Sequence, residues 1–436
     1  MILQLLLSLQ VVSPQARPDS VPQVDSIPLI TLSEAIRRST RLDPDYVRAL
    51  GQIEDAEWGR RAATLAFIIP SLEVGLDETK YSQSFFNPAD PENLTSTLVV
   101  GRASANYEVF SLRKFTELSR TKAELASAEA GELEQRFQAA LETESSYYAV
   151  LTNQELARVA RERAVRAREA LGIARARVAS GAAVQTDSLQ LVLELIRAQV
   201  DSLRQYNALR TAQLDLARRI GASEPVGAVP ADTLPAPKLP VSLAEAVRTA
   251  LDQGPQYRAA LANENASEAS LKAQRGDYLP TLRVGALHQR YDTQIFPGDR
   301  NITSVTFGVS LPLWDNGLRE IEINRARINR DVARSIREDL ERVVRRDVTS
   351  SFDAYETSRA AVELANVAGT VARENYRMQA LRYRSGASTI LDLLDAQVSV
   401  AEAEAGVVEA RYNTRLALAR LEAIIGRRLF SNKEAP

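Results

Sequence analysis

Val305, Phe307, Val309 and Leu311 alternate with Ser304, Thr306, Gly308 and Ser310, a period of two that sets apolar side chains on one face of a strand and small polar ones on the other. Val99, Gly101, Ala103, Ala105 and Tyr107 alternate in the same way with Val100, Arg102, Ser104 and Asn106. Each run has a partner upstream, at residues 71–79 and 281–291. Asn87-Pro88 and Asp90-Pro91 make residues 80–95 a loop, and Pro297-Gly298-Asp299 lies in the second connection, because Pro and Asn favour turns. The chain is therefore predicted to hold two hairpins, over residues 71–107 and 281–311.

Each hairpin feeds a long helical tract, residues 112–179 and 318–384, without Pro, with very little Gly, and rich in Ala, Glu, Arg and Leu. At a rise of about 1.5 Å per residue, such a helix spans on the order of 100 Å. The tracts stop at Gly181 and Gly386, and shorter helices return to Gly221 and Gly426. On the returning helices Leu189, Leu193, Ile196, Val200 and Leu203 step by four and three, as do Leu394, Val398, Ala401, Ala405 and Val408. Both read as coiled-coil faces.

The whole pattern is written twice. Thr31-Leu32 returns as Ser242-Leu243, Pro44 as Pro255, Tyr46 as Tyr257 and Ile220-Gly221 as Ile425-Gly426, a shift of about 205 to 210 positions. The first repeat covers 31–221 and the second 242–426, joined by a Pro-containing linker over 222–241 and followed by a tail over 427–436. Thr31 or Ser33 caps a short helix that Asp43-Pro44 breaks, and a second helix runs from 44 to about 66. Residues 17–30 read as a mobile, Pro-containing lead.

Composition narrows the function. Lys+Arg number 54 and Asp+Glu 56, spread evenly, so no basic field recommends a nucleic acid. With no Cys and the single His288, read as a polar strand residue, the chain offers no disulfide, thiolate site or His-rich metal site, and no cofactor is expected. No Gly-rich phosphate loop or nucleophile constellation supports an enzyme. The apolar stretch within residues 1–16 resembles a secretory signal, and no later segment is apolar enough for a membrane helix. A membrane location would then be through strands. Four strands cannot close a barrel, for which about eight are needed. Two identical chains would give eight strands and three would give twelve, and spacing does not choose between them.

The hairpin-to-long-helix order, the duplicated short helix and the segment Tyr383-Arg384-Ser385-Gly386-Ala387-Ser388-Thr389-Ile390-Leu391-Asp392-Leu393-Leu394-Asp395-Ala396-Gln397 resemble the TolC-type outer membrane efflux protein family. The resemblance spans Thr31 to Gly426. It implies a mostly α fold with a small β part: a homotrimeric channel-tunnel whose twelve-stranded β-barrel sits in outer-membrane lipid and continues as a helical tube into the periplasm. It implies partners too, a periplasmic adaptor and an inner-membrane pump of RND or ABC type, or a type I secretion transporter.

By that resemblance Asp392 and Asp395 form carboxylate rings at the periplasmic gate, favouring cations and raising one another's pKa, with Tyr383 as a gate-linking residue. The competing readings are an Asp at the positive end of a helix and a Tyr packed in a coiled coil. The first repeat carries Asp187 opposite Asp392 but Gln190 opposite Asp395, which points to the second repeat as the inner, gating pair. Gly181, Ala182 and Ala183, with Gly386, Ala387 and Ser388, make the tip turns and the adaptor-docking surface. Phe110 and Trp314 stand at the strand-to-helix junctions, where an aromatic anchors a membrane interface or packs the junction. The alternative is a secreted or periplasmic coiled-coil or adaptor protein without a channel, for which paired alternating hairpins have no use.

Overall fold

A computed structural model describes residues 27–230, 237–295 and 300–430. The signal-like stretch, most of the lead, the middle of the linker, the Pro297-Gly298-Asp299 loop and the end of the tail lie outside them. The chain runs β1 (Leu29–Ile30), α1 (Leu32–Leu42), α2 (Pro44–Ile68), β2 (Ser71–Phe86), β3 (Leu94–Phe110), α3 (Leu112–Ala179) and α4 (Gln185–Ile220). After β4 (Gly227–Ala228) come α5 (Leu243–Gln253), α6 (Pro255–Arg275), β5 (Thr281–Asp292), β6 (Arg300–Ser310), α7 (Leu318–Ser385) and α8 (Ile390–Ile425). Helices α3 and α7 both have 68 residues, and α4 and α8 both have 36.

Local chemistry sets the short helices. The Thr31 hydroxyl accepts from the Glu34 amide to cap α1, and Ser242 does the same for α5 through Glu245. Asp43 ends α1 and caps α2, accepting from the Asp45 and Tyr46 amides, while Pro44 takes the first helical position, where no amide donor is needed.

The four long strands form one antiparallel sheet in the order β2-β3-β5-β6, so the two hairpins meet along β3 and β5. The register aligns Leu72 with Ala105, Ala105 with Ala286 and Ala286 with Val305. Leu72, Val74 and Leu76 thus share a face with Val305, Phe307 and Val309, and among the described residues all six are exposed: Val74 is 84% exposed and Phe307 79%. The opposite face carries Glu73, Asp77, Arg102, Asn106 and Thr306, with Arg102 paired to Asp77. Two expectations change here. Strand β2 continues to Phe86: after a register shift past Lys80 the pairing resumes with Phe85 opposite Thr95 and Phe86 opposite Leu94, and Tyr81 stacks on Phe85 at 5.1 Å. The lead and linker are also not wholly irregular: Leu29–Ile30 pairs in parallel with Gly227–Ala228.

The long helices pack side by side in a layer. Near the sheet, α2 packs on α3, α3 on α6 and α6 on α7; towards the far end, α4 packs on α3, α3 on α8 and α8 on α7. The densest core lies midway, where Tyr147, Leu151 and Leu216 bury against Ile30 and Ala228, and each such apolar side chain stabilises the fold by about 1.5–3 kcal/mol. The seam on α4 is not used in packing among the described residues of the single chain. Leu189, Leu193, Ile196, Val200 and Leu203 are exposed, and α4 packs within the chain through Leu191 and Ala198 instead. The equivalent seam on α8 is mixed, with Val408 buried and Val398 39% exposed.

Candidate functional site

Three regions of this layer carry candidate function: the tip turns, the groove between α2, α3, α6 and α7, and the sheet-to-helix junction. At each tip a glycine in the left-handed region reverses the chain, Gly181 at φ 75° and Gly386 at φ 86°. The turns are near copies. The Ala182 amide donates to Arg177 O and the Ala387 amide to Arg382 O, both at 2.8 Å, satisfying carbonyls that the helix ends leave open. Gly181, Ala182, Gly386 and Ala387 are exposed, and Ala183 and Ser388 are half-buried.

The returning helices begin differently. α8 opens with a reciprocal capping box between Thr389 and Asp392, and Asp392 Oδ2 accepts from the Thr389 amide (2.9 Å), the Thr389 hydroxyl (2.7 Å) and the Ser388 hydroxyl (3.1 Å). These bonds, the Thr389 hydroxyl first, hold the Asp392 carboxyl below the usual aspartate range. In the single chain its direction is thus opposite to that expected for crowded carboxylates. α4 has Val184 at the equivalent position and no side-chain cap. Asp395 is exposed one turn further along α8.

Tyr383 does not reach these carboxylates. It is 1% exposed in a cluster with Leu171, Ala174, Leu191 and Leu393, and its hydroxyl is within hydrogen-bonding distance of no partner among the described residues. Burial, and then the charge of Asp187, pushes that hydroxyl's pKa up. The structure therefore brings Tyr383 near Asp187 and leaves Asp392 and Asp395 on the first turns of α8. Sequence reasoning missed Arg177, which donates from Nη1 to Tyr383 O at 2.6 Å. Its signal was its place four residues before Gly181, matching Arg382 before Gly386.

Between α2, α3, α6 and α7 runs an open groove of ≈ 1550 Å³ lined largely by small and polar side chains, among them Ala62, Ala66, Ser127, Gly131, Ser267 and Ser270. At the junction, Phe110 packs its ring 6.1 Å from Phe115, which meets Phe67 edge to face at 5.0 Å. Trp314 behaves differently and is 76% exposed beside Leu313, 85% exposed. His288 lies on the apolar face of the sheet, its Nδ1 2.8 Å from the Thr303 hydroxyl. Among the described residues no His, Cys, Asp and Glu cluster could hold a metal ion, and no helix is long and apolar enough to cross a membrane.

Comparison with known proteins converges on one family. The chain is 28% identical over 256 residues to the outer membrane efflux protein BepC of Brucella suis, covering 57% of this chain and 54% of BepC. It is 23% identical over 254 residues to the outer membrane protein OprJ of Pseudomonas aeruginosa, covering 57% and 53%. The match thus spans about half the length of either relative. The crystal structure of the Campylobacter jejuni CmeC outer membrane channel superposes with a TM-score of 0.79 over 93% of this chain and 87% of CmeC, at 15% identity, which establishes a shared fold. The family model for outer membrane efflux proteins matches residues 44–222 and 246–427, and the chain belongs to that family.

Proposed function

We propose that three copies of this chain close into a tube that serves as the outer-membrane exit duct of a tripartite efflux or type I secretion system. The observation that carries the reading is the complementarity of the layer's two open edges. One edge is β2, α2 and α4; the other is β6 and α7. Both expose apolar stripes. Set antiparallel from the tip, Leu189 meets Leu381, Leu193 meets Met378, Val200 meets Val371 and Leu203 meets Val367, each advance along α4 matching a retreat along α7 to within one residue. Nearer the sheet, Ile68 meets Leu318, Leu65 meets Ile321, Trp58 meets Ile328 and Leu50 meets Ile336 in equal steps. An edge that fits the opposite edge of a second copy generates a ring, and three copies supply twelve strands.

In that ring the face carrying Val74 and Phe307 meets outer-membrane lipid, and the face carrying Arg102 and Asp77 meets water. Trp314 sits at the membrane interface, and Phe110 packs the junction beneath it. The duct performs no bond chemistry. The helical tube stands in the periplasm, its small tip turns, Gly181 to Ala183 and Gly386 to Ser388, dock a periplasmic adaptor, and an inner-membrane pump supplies the energy. Asp392 and Asp395 line the gated entrance near the three-fold axis and favour cations there, with Tyr383 packed behind them.

Purified protein added to a planar lipid bilayer tests this reading. Discrete, stable current steps are expected, with divalent cations blocking them less in the Asp392→Ala, Asp395→Ala double variant. Folded protein that inserts without conducting would overturn the duct.

A further inference from the structure

Midway along the layer, where Tyr412 packs against the dense core, α3, α7, α8 and Pro230 of the linker line a recess of ≈ 670 Å³. Charge is matched on its α3 wall, where Arg158 pairs with Glu155 at 2.9 Å and with Glu162 at 2.7 Å. Glu404 on α8 is matched as well, held by Arg166 at 3.0 Å. The opposite wall carries two cations that are not. Arg373 Nε donates to Gly369 O at 2.9 Å and Arg411 Nη2 donates to Asn366 Oδ1 at 3.3 Å, and among the described residues neither forms an ion pair.

These two arginines are set side by side. Their anchors, Asn366 and Gly369, are three residues apart on α7 and therefore neighbours on one helix face. A Cβ on Gly369 would lie 3.2 Å from Val407 Cγ2 and 3.7 Å from Arg373 Nη2, so glycine lets α8 and this guanidinium come close. The first repeat lacks the pair. At the shift that aligns Gly181 with Gly386, Tyr206 takes the place of Arg411, Ala164 of Gly369 and Arg161 of Asn366.

Each guanidinium has a planar fork of N–H donors and spends only one on the protein among the described residues. Like charges held close repel one another, and an oxyanion between them replaces that repulsion with charge-assisted, bidentate hydrogen bonds. Val407, Val408 and the Tyr412 ring add apolar surface beside the cations. We propose that the recess is a binding site in which Arg373 and Arg411 clamp the oxyanion of a small ligand bearing a carboxylate or a phosphate. The site is built within one chain and stands apart from conduction by the duct.

Isothermal titration calorimetry on the detergent-solubilised full chain tests it, with inorganic phosphate and succinate as probes at an ionic strength held constant with sodium chloride. Saturable binding of at least one probe, one per chain, is expected. Tighter binding of phosphate assigns a phosphate ligand, and tighter binding of succinate a carboxylate. Arg373→Gln and Arg411→Gln are each expected to weaken binding about tenfold or more. Arg168→Gln, at the position of the first repeat that matches Arg373, is expected to leave it unchanged. Both clamp arginines are exposed, so the variants are expected to keep the parent's circular dichroism spectrum. No saturable binding of either probe, or binding that Arg373→Gln and Arg411→Gln weaken no more than Arg168→Gln does, would overturn the site.

Discussion

The three largest fully buried side chains are tyrosines, two at the middle of the helical layer and one at its tip, and they are held in different ways. Tyr147 donates its hydroxyl to Val229 O at 2.7 Å, with Ile30 O at 3.3 Å sharing the proton, and Tyr355 donates to Pro237 O at 2.7 Å. Val229 and Pro237 lie within the linker and Ile30 in the lead, so two phenols fasten these segments to the long helices. Arg428 reinforces the same region, pairing with Glu144 and, at 2.8 Å, with Glu422. At the tip, among the described residues, the Tyr383 hydroxyl has no hydrogen-bond partner, and Arg177 from the other repeat reaches its backbone. Among the described residues, several side-chain hydrogen bonds and ion pairs fasten the middle, whereas the tip turns are joined by an apolar cluster and the Arg177 hydrogen bond.

Substitutions can break or sharpen that contrast. Tyr147→Ala, which opens a cavity among Leu151, Leu216 and Ile30, is expected to cost about 3–5 kcal/mol, measured by chemical unfolding in detergent. Tyr355→Phe removes one hydrogen bond without a cavity, and a loss of about 1 kcal/mol is expected in the same assay. Tyr383→Phe is expected to fall within about 0.5 kcal/mol of the parent, because no bond is lost with the hydroxyl. A destabilisation by Tyr383→Phe as large as that of Tyr355→Phe would erase the distinction.

Much of this fold was legible in the sequence, and the exceptions have physical causes. The hairpins, long helices and tip glycines declare themselves through periodicity and through residues that only turns favour. Strands β1 and β4, two residues each, have no period to read. The Leu189 to Leu203 seam was visible as an apolar stripe, but a stripe does not say what covers it, and among the described residues it stays exposed. At the candidate site, the glycine turns were readable by their spacing. Arg177 was marked only by its place four residues before Gly181, and its partner, a backbone carbonyl 206 residues away, leaves no mark on side-chain pattern. Asp392 showed both of its possible roles in sequence, and the capping box with Thr389 now accounts for the local one.

Because the chain has no cysteine, the central claim that one edge of the layer fits the other edge of a second copy can be tested with a single engineered disulfide. Leu193→Cys with Met378→Cys places one thiol on each edge at a facing position of the proposed seam, and oxidised protein is then separated under denaturing, non-reducing conditions. The account predicts covalent species of two and three chains and none larger. Only monomers, or a ladder that stops at two chains or runs beyond three, would contradict it.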